Sequence, residues 1–117
     1  MRLMALLAYP LGMALGQVMF KLAAIQFAQS PQAHWLSAAS DLLLNKWLIG
    51  ALALYVVMTF LWVWILAEMP LSIAYPFAAF SFVLTPLLGH FVFSEALAWN
   101  HLVGLALVVA GILVIVN

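Results

Sequence analysis

The chain has 117 residues, 70% of them hydrophobic and only 5% charged, with a net charge of zero and no cysteine. A soluble domain keeps roughly a quarter of its residues charged, so a globule solvated by water on all sides is excluded. The lack of a Lys/Arg cluster gives a nucleic-acid partner nothing to bind, and the lack of cysteine removes disulfide and thiol chemistry.

A bilayer span needs about 20 mostly apolar residues in a helix, so four spans with short connections use up the chain as one domain, residues 1–117. The predicted fold class is an all-α membrane protein, a four-transmembrane-helix bundle. The first span is read at about residues 3–28. Met1 and Arg2 ahead of an apolar run have the look of a signal peptide, but the run continues to Phe27 with no clear small-residue cleavage site, so a span is expected. Ser30-Pro31 is a good N-cap and first-turn pair. It opens a mixed stretch, residues 31–46, where Trp35, Leu36, Ala39, Leu42 and Leu43 share one face and Gln32, Ser40 and Asp41 another. That pattern fits a short interfacial helix or an irregular loop.

The second span is read at about 47–67, with Glu68-Met69-Pro70 as the break after it. The third, about 70–93, contains Pro76 and Pro86. Proline inside a span frees a carbonyl, which predicts a kinked helix packed against neighbours. Ser94 to Asn100 is a polar turn, and the fourth span is read at about 101–116. Short connections make sequential spans antiparallel neighbours in a compact bundle.

An even number of spans puts Arg2 and the Glu68 turn on one side, and Lys46, Glu95 and Lys21 towards the other. Positive charge sets orientation and acidic residues count little. The tally is nearly balanced, so insertion in both orientations is conceivable, and with it an antiparallel dimer forming an inverted repeat from two copies. Small residues let helices approach closely in lipid. Gly12 and Gly16 form a GxxxG in the first span, read as packing within the chain. Gly104 and Gly111 lie on one face of the fourth span.

Ionisable groups inside a span are costly and mark function by default. Lys21 is the clear case, one turn after Gln17 and on the same face. One reading is a cation that meets an anionic substrate group such as a phosphate, with Gln17 as a hydrogen-bonding neighbour. The other is snorkelling to the headgroups, since Lys21 lies about 27 Å along a span that starts near Leu3. Glu68 and Glu95 read as solvated turn residues, and His90, His34 and His101 as structural or interfacial. Ser72, Tyr75, Ser81 and Thr85 equip the third span to line a cavity, with Tyr75 and Phe82 sharing a face; helix packing explains them equally well. No His/Asp/Glu set has metal-ligand spacing and no nucleophile has an evident base, so neither a metal, another cofactor nor an enzymatic activity is expected.

Ser72-Ile73-Ala74-Tyr75-Pro76, the Phe93-Ser94-Glu95 turn and the Gly104-x6-Gly111 helix resemble the small multidrug resistance family and the wider drug/metabolite transporter superfamily. The resemblance covers most of the chain and implies that Gly104 and Gly111 form a dimer seam. Departures separate the chain from the drug exporters. Met13 stands where those carry an essential glutamate, Ala78 replaces a tryptophan, and Phe80 and Phe82 replace a glycine pair. Gly16-Gln17-x3-Lys21, Ile73-Ala74-Tyr75-Pro76 and the longer first connection are closer to the small flippase subunits that move an undecaprenyl-phosphate-linked aminosugar (aminoarabinose) across the bacterial inner membrane. That resemblance implies a multi-pass inner-membrane protein with an anionic lipid or lipid-linked sugar as its partner. Lys21 and Gln17 would meet the head group and Tyr75 would line its path; Ser72 and Phe82, from the third span's own pattern, complete the candidate substrate-binding set. The assembly would be a homodimer, or a heterodimer with a similar subunit, among bilayer lipids. Proton-coupled efflux of organic cations and a non-transporting scaffold subunit are the alternatives. The first needs a titrating acid in the cavity, with Glu68 or Glu95 on offer.

Overall fold

The computed structural model describes residues 1–30 and 34–117. Its helices are α1 (Arg2–Gln29), α2 (Trp35–Leu43), α3 (Lys46–Glu68), α4 (Leu71–Ala78), α5 (Ser81–Phe93) and α6 (Trp99–Val116). Four stretches are long and apolar enough to cross a membrane: α1, α3, the α4–α5 pair from Leu71 to Phe93, and α6. The four spans read from the sequence are therefore present, with ends shifted by one or two residues.

Two details differ from the sequence reading. Ser30 caps the end of α1: its N–H donates to the Phe27 carbonyl (3.2 Å) and its hydroxyl to that of Gln26 (3.2 Å). The start expected at Pro31 lies outside the described residues. The short helix begins instead at Trp35, capped by His34, whose ring accepts from the Leu36 N–H at 3.3 Å. The third span is broken, as its prolines predict, but at Ala79 and Phe80 rather than on either proline. Pro76 and Pro86 both lack the amide that a helix needs. Between them the ladder tightens to three-residue steps, Phe80 to Phe77 (3.1 Å), Phe82 to Ala79 (2.9 Å) and Val83 to Phe80 (3.0 Å). The Ser81 hydroxyl takes up the Ala78 carbonyl at 2.8 Å.

Helix α1 is the spine. It packs on α3 along one side and on α4 and α5 along the other, while α6 packs on α4 and α5. The result is a slab of 53 × 37 × 20 Å, about two helix diameters thick, rather than the compact bundle expected from short connections. Small residues set the α1–α3 approach. Ala5, Gly12, Gly16 and Ala23 share one face of α1 and are all buried. A methyl group at Gly16 would lie 2.6 Å from the Tyr55 ring, and one at Gly12 would run into Met58. The first GxxxG therefore serves packing within the chain. Below it, Ile65 of α3 (1% exposed) closes a cluster with Ala5, Leu6 and Ala74. Tyr9 stacks on Trp62 with ring centroids 4.6 Å apart, and Trp62 meets Tyr75 edge-on at 6.3 Å. Arg2 pairs with Glu68 at 2.9 Å, tying the start of α1 to the end of α3.

Gly104 and Gly111 contrast with this pair, because a methyl group at either would have no neighbour within 4 Å in the chain. Accordingly Gly16→Ala is expected to destabilise the protein by about 1–3 kcal/mol through overpacking, whereas Gly104→Ala leaves thermal unfolding of the monomer in detergent unchanged or slightly raised. Equal melting temperatures for wild type and Gly16→Ala would contradict the packing described.

Candidate functional site: a groove beside the first helix

The sides of α1 differ. Facing α3 it is closed by small residues; facing α5 it leaves a groove. At one end the groove widens to a hollow of about 430 Å³ between Gln17, Val18 and Lys21 on α1, Thr85, Pro86, Gly89 and Phe93 on α5, and Glu95, Ala96, Leu97 and His101 beyond it. It continues through a hollow of about 400 Å³ bounded by Met13, Gln17, Ser81, Phe82, Thr85 and Pro86. A smaller hollow of about 140 Å³ ends it, reaching Tyr9, Tyr75, Ala78 and Ala79. Shared residues link the three: Gln17, Thr85 and Pro86 between the first two, and Met13, Ser81 and Phe82 between the last two.

Gln17 is fixed by a group that the sequence did not single out. Its side-chain N–H donates to the Tyr55 hydroxyl at 2.8 Å, and that hydroxyl donates onward to the Met13 carbonyl at 3.2 Å. The Tyr55 ring also lies 5.2 Å from Phe20. A tyrosine within a largely apolar span is the signal that could have found it, since a hydroxyl in lipid must find partners inside the protein.

Lys21 lies about 12 Å before the end of α1, counted at ~1.5 Å per residue. Its ammonium meets the Glu95 carboxylate at 3.5 Å, with both side chains 50% exposed. Glu95 is an exposed residue of the turn, as expected, and it also faces Lys21. Ser94 takes the left-handed conformation (φ 55°) at the end of α5, and the Glu95 N–H donates to the Gly89 carbonyl at 3.3 Å. His90 Nδ1 contacts the Glu95 carbonyl oxygen at 2.7 Å. Gly89 leaves room for the carboxylate, because a methyl group there would lie 2.8 Å from Glu95 Oε2. The turn thus aims an acid into the mouth of the groove, opposite the lysine. A half-exposed pair of this kind is worth about 0–1 kcal/mol, so it positions charge without locking it.

Of the predicted site residues, Gln17 and Lys21 share the mouth, Phe82 lies beside Gln17 in the middle hollow, and Tyr75 closes the far end. Ser72 is elsewhere: it lines an outer hollow with Leu71, Tyr75, Pro76 and Ile115, on the α6 side of α4. Among the described residues no group of three His, Asp or Glu side chains is placed to hold a metal ion.

Four spans around a lateral groove, polar at its mouth and aromatic at its end, define a multi-pass membrane transporter. The chain belongs to the EamA-like transporter family, which matches it over residues 2–117. It is similar to proteins named probable 4-amino-4-deoxy-L-arabinose-phosphoundecaprenol flippase subunit ArnE. The relative from Pseudomonas fluorescens is 35% identical over 101 residues, 86% of this chain and 84% of the relative. That from Yersinia pseudotuberculosis is 35% identical over 99 residues, 85% and 82% of the two chains. That from Pectobacterium atrosepticum is 41% identical over 66 residues, 56% of this chain, and the match spans only 58% of the relative's length. No solved structure matches the chain. With its family and its four spans, the chain is a multi-pass membrane protein.

Tyr55→Phe removes both hydrogen bonds of the hydroxyl. A loss of about 1 kcal/mol is expected, together with release of the Gln17 side chain. Thermal unfolding in detergent measures the first, and side-chain amide NMR of Gln17 the second. An unchanged Gln17 resonance would show that Tyr55 does not hold it.

Proposed function

We propose that the chain is a flippase-like transporter that moves a polyprenyl-phosphate lipid, or its sugar conjugate, between the leaflets of the inner membrane. The observation that carries this reading is the Lys21 ammonium at the mouth of a groove whose inner walls are Met13, Phe82, Pro86, Tyr9 and Tyr75. A lipid phosphate needs a cation and hydrogen-bond donors where it leaves water. Lys21 supplies the charge. Gln17, held by Tyr55 through one N–H, has a second N–H and its carbonyl for the same head group. The lipid tail stays in the bilayer while the head group follows the groove, and Tyr75 and Phe82 line its path. Ser72, on the far face of α4, enters only if the path continues round that helix. The names of the ArnE relatives specify a lipid of this chemistry.

The working unit in this proposal is a dimer, with transport by alternating access about the subunit interface. Four helices in a slab leave the groove open along one side, and a second subunit would close it. Gly104 and Gly111 suit a seam because nothing in their own chain packs on them. The relatives' designation as subunits fits this assembly. Efflux of organic cations finds less support: Glu95 lies in the groove but faces Lys21, and Glu68 is held by Arg2. A scaffold role gives no reason for a charged groove.

In proteoliposomes supplied with the undecaprenyl-phosphate aminoarabinose lipid, Lys21→Ala is expected to lower translocation by about tenfold or more, the worth of a charge-assisted contact. Full translocation by folded Lys21→Ala would remove the role. Gly104→Leu is expected to reduce chemical cross-linking between subunits while leaving the monomer's unfolding temperature in place. Cross-linking at the wild-type level would put the seam elsewhere.

A further inference from the structure

The acid opposite Lys21 has no task in binding a phosphate, yet the turn that carries it is built with care. Glu95 is set by a left-handed residue, by a backbone bond to Gly89 and by the His90 ring, and its carboxylate rests close over Gly89. A solvated turn acid requires none of this. Both members of the Lys21–Glu95 pair line one hollow of about 430 Å³ and both are half exposed. That volume lies within the roughly 300–1,000 Å³ typical of ligand pockets.

Consider what each kind of ligand meets there. An anion that takes Lys21 leaves Glu95 unpaired beside another negative charge. A cation that takes Glu95 leaves Lys21 facing it. Like charges brought together at close range are penalised, which is how proteins reject wrong partners. A ligand with both charges avoids both penalties. It exchanges one weak ion pair for two contacts, and opening a half-exposed pair costs little. We propose that Glu95 is a specificity residue: the Lys21–Glu95 pair opens onto a zwitterionic head group, with Lys21 taking the phosphate and Glu95 taking a protonated amine on the attached sugar. The inference rests on the flippase reading above and deepens it. It gives the free amine of such a lipid, which the relatives' names already specify, a partner in Glu95, and it gives the pair a second duty, shielding the groove from ligands of a single charge.

The test compares binding of two probes to the full chain in nanodiscs: the undecaprenyl-phosphate lipid of 4-amino-4-deoxy-arabinose, and the same lipid N-formylated so that the amine cannot be charged. Wild type is expected to bind the free amine about fivefold more tightly, as one half-exposed ion pair allows. In Glu95→Gln the ratio of the two dissociation constants is expected to fall to near one, with the N-formyl lipid still bound. A ratio is independent of the fraction of protein that folds, so partial misfolding of the variant does not affect it. Equal binding of both lipids by wild type overturns the proposal without any variant, and so does a preference that survives Glu95→Gln. Binding of neither lipid by wild type overturns the flippase reading together with it. Binding of both without preference overturns the zwitterion pairing alone.

Discussion

Inside a bilayer the hydrophobic effect does not press helices together, because lipid tails solvate Leu and Ile as well as another helix does. Association depends on close backbone approach and on the few polar groups present. In this chain both are concentrated on the α1–α3 contact. Gly12 and Gly16 let α3 lie against the α1 backbone, with Met58 and the Tyr55 ring filling the space a side chain would take. The same approach brings the Tyr55 hydroxyl to Gln17 and to the Met13 carbonyl. A larger residue at Gly16 would disturb packing and site together, because the ring it displaces also positions Gln17.

The groove follows from this one-sidedness. Small residues on α1 face α3, while Met13, Gln17 and Lys21 face the broken third span. There α4 gives way to α5 between two prolines, and the hollows lie between α1 and this broken span. The groove's chemistry is graded along its length. Lys21, Glu95, Thr85 and His101 lie at the mouth, Met13 and Phe82 in the middle, and Tyr9 and Tyr75 at the end. A path for an amphiphile needs such a gradient, since the charged part must be compensated wherever it leaves water. Beyond the groove most of the apolar surface is exposed, which suits lipid on the outside and a second subunit along α6.

The spans were legible because unbroken apolar runs of this length have few other uses, and their ends because Pro70 and the polar turns at Glu68 and Ser94 interrupt them. Lys21 and Gln17 stood out because polar groups inside a span are costly. What was not legible depends on packing between distant segments. Tyr55 acquires its role only when α3 meets α1. Glu95 read only as a solvated acid because nothing local reveals that the turn after α5 folds back over Lys21. Ser72 and Tyr75 sit one turn apart and were expected to line one path. Tyr75 borders both the groove and the outer hollow, whereas Ser72 borders only the latter. The prolines announced a break, but its position between them depends on the Ser81 hydroxyl and the tightened turn at Phe80.

The central claim is that a lipid phosphate enters the groove beside α1 and rests on Lys21. Solid-state NMR measures this directly, through the dipolar coupling between the phosphorus of bound undecaprenyl-phosphate aminoarabinose and a ¹⁵N-labelled lysine Nζ in reconstituted protein. A coupling that places the phosphorus within hydrogen-bonding reach of the Lys21 nitrogen, and that disappears from the spectrum in Lys21→Gln, is the predicted result. A phosphorus coupled to Lys46 instead, or to neither lysine while the lipid is bound, would contradict it.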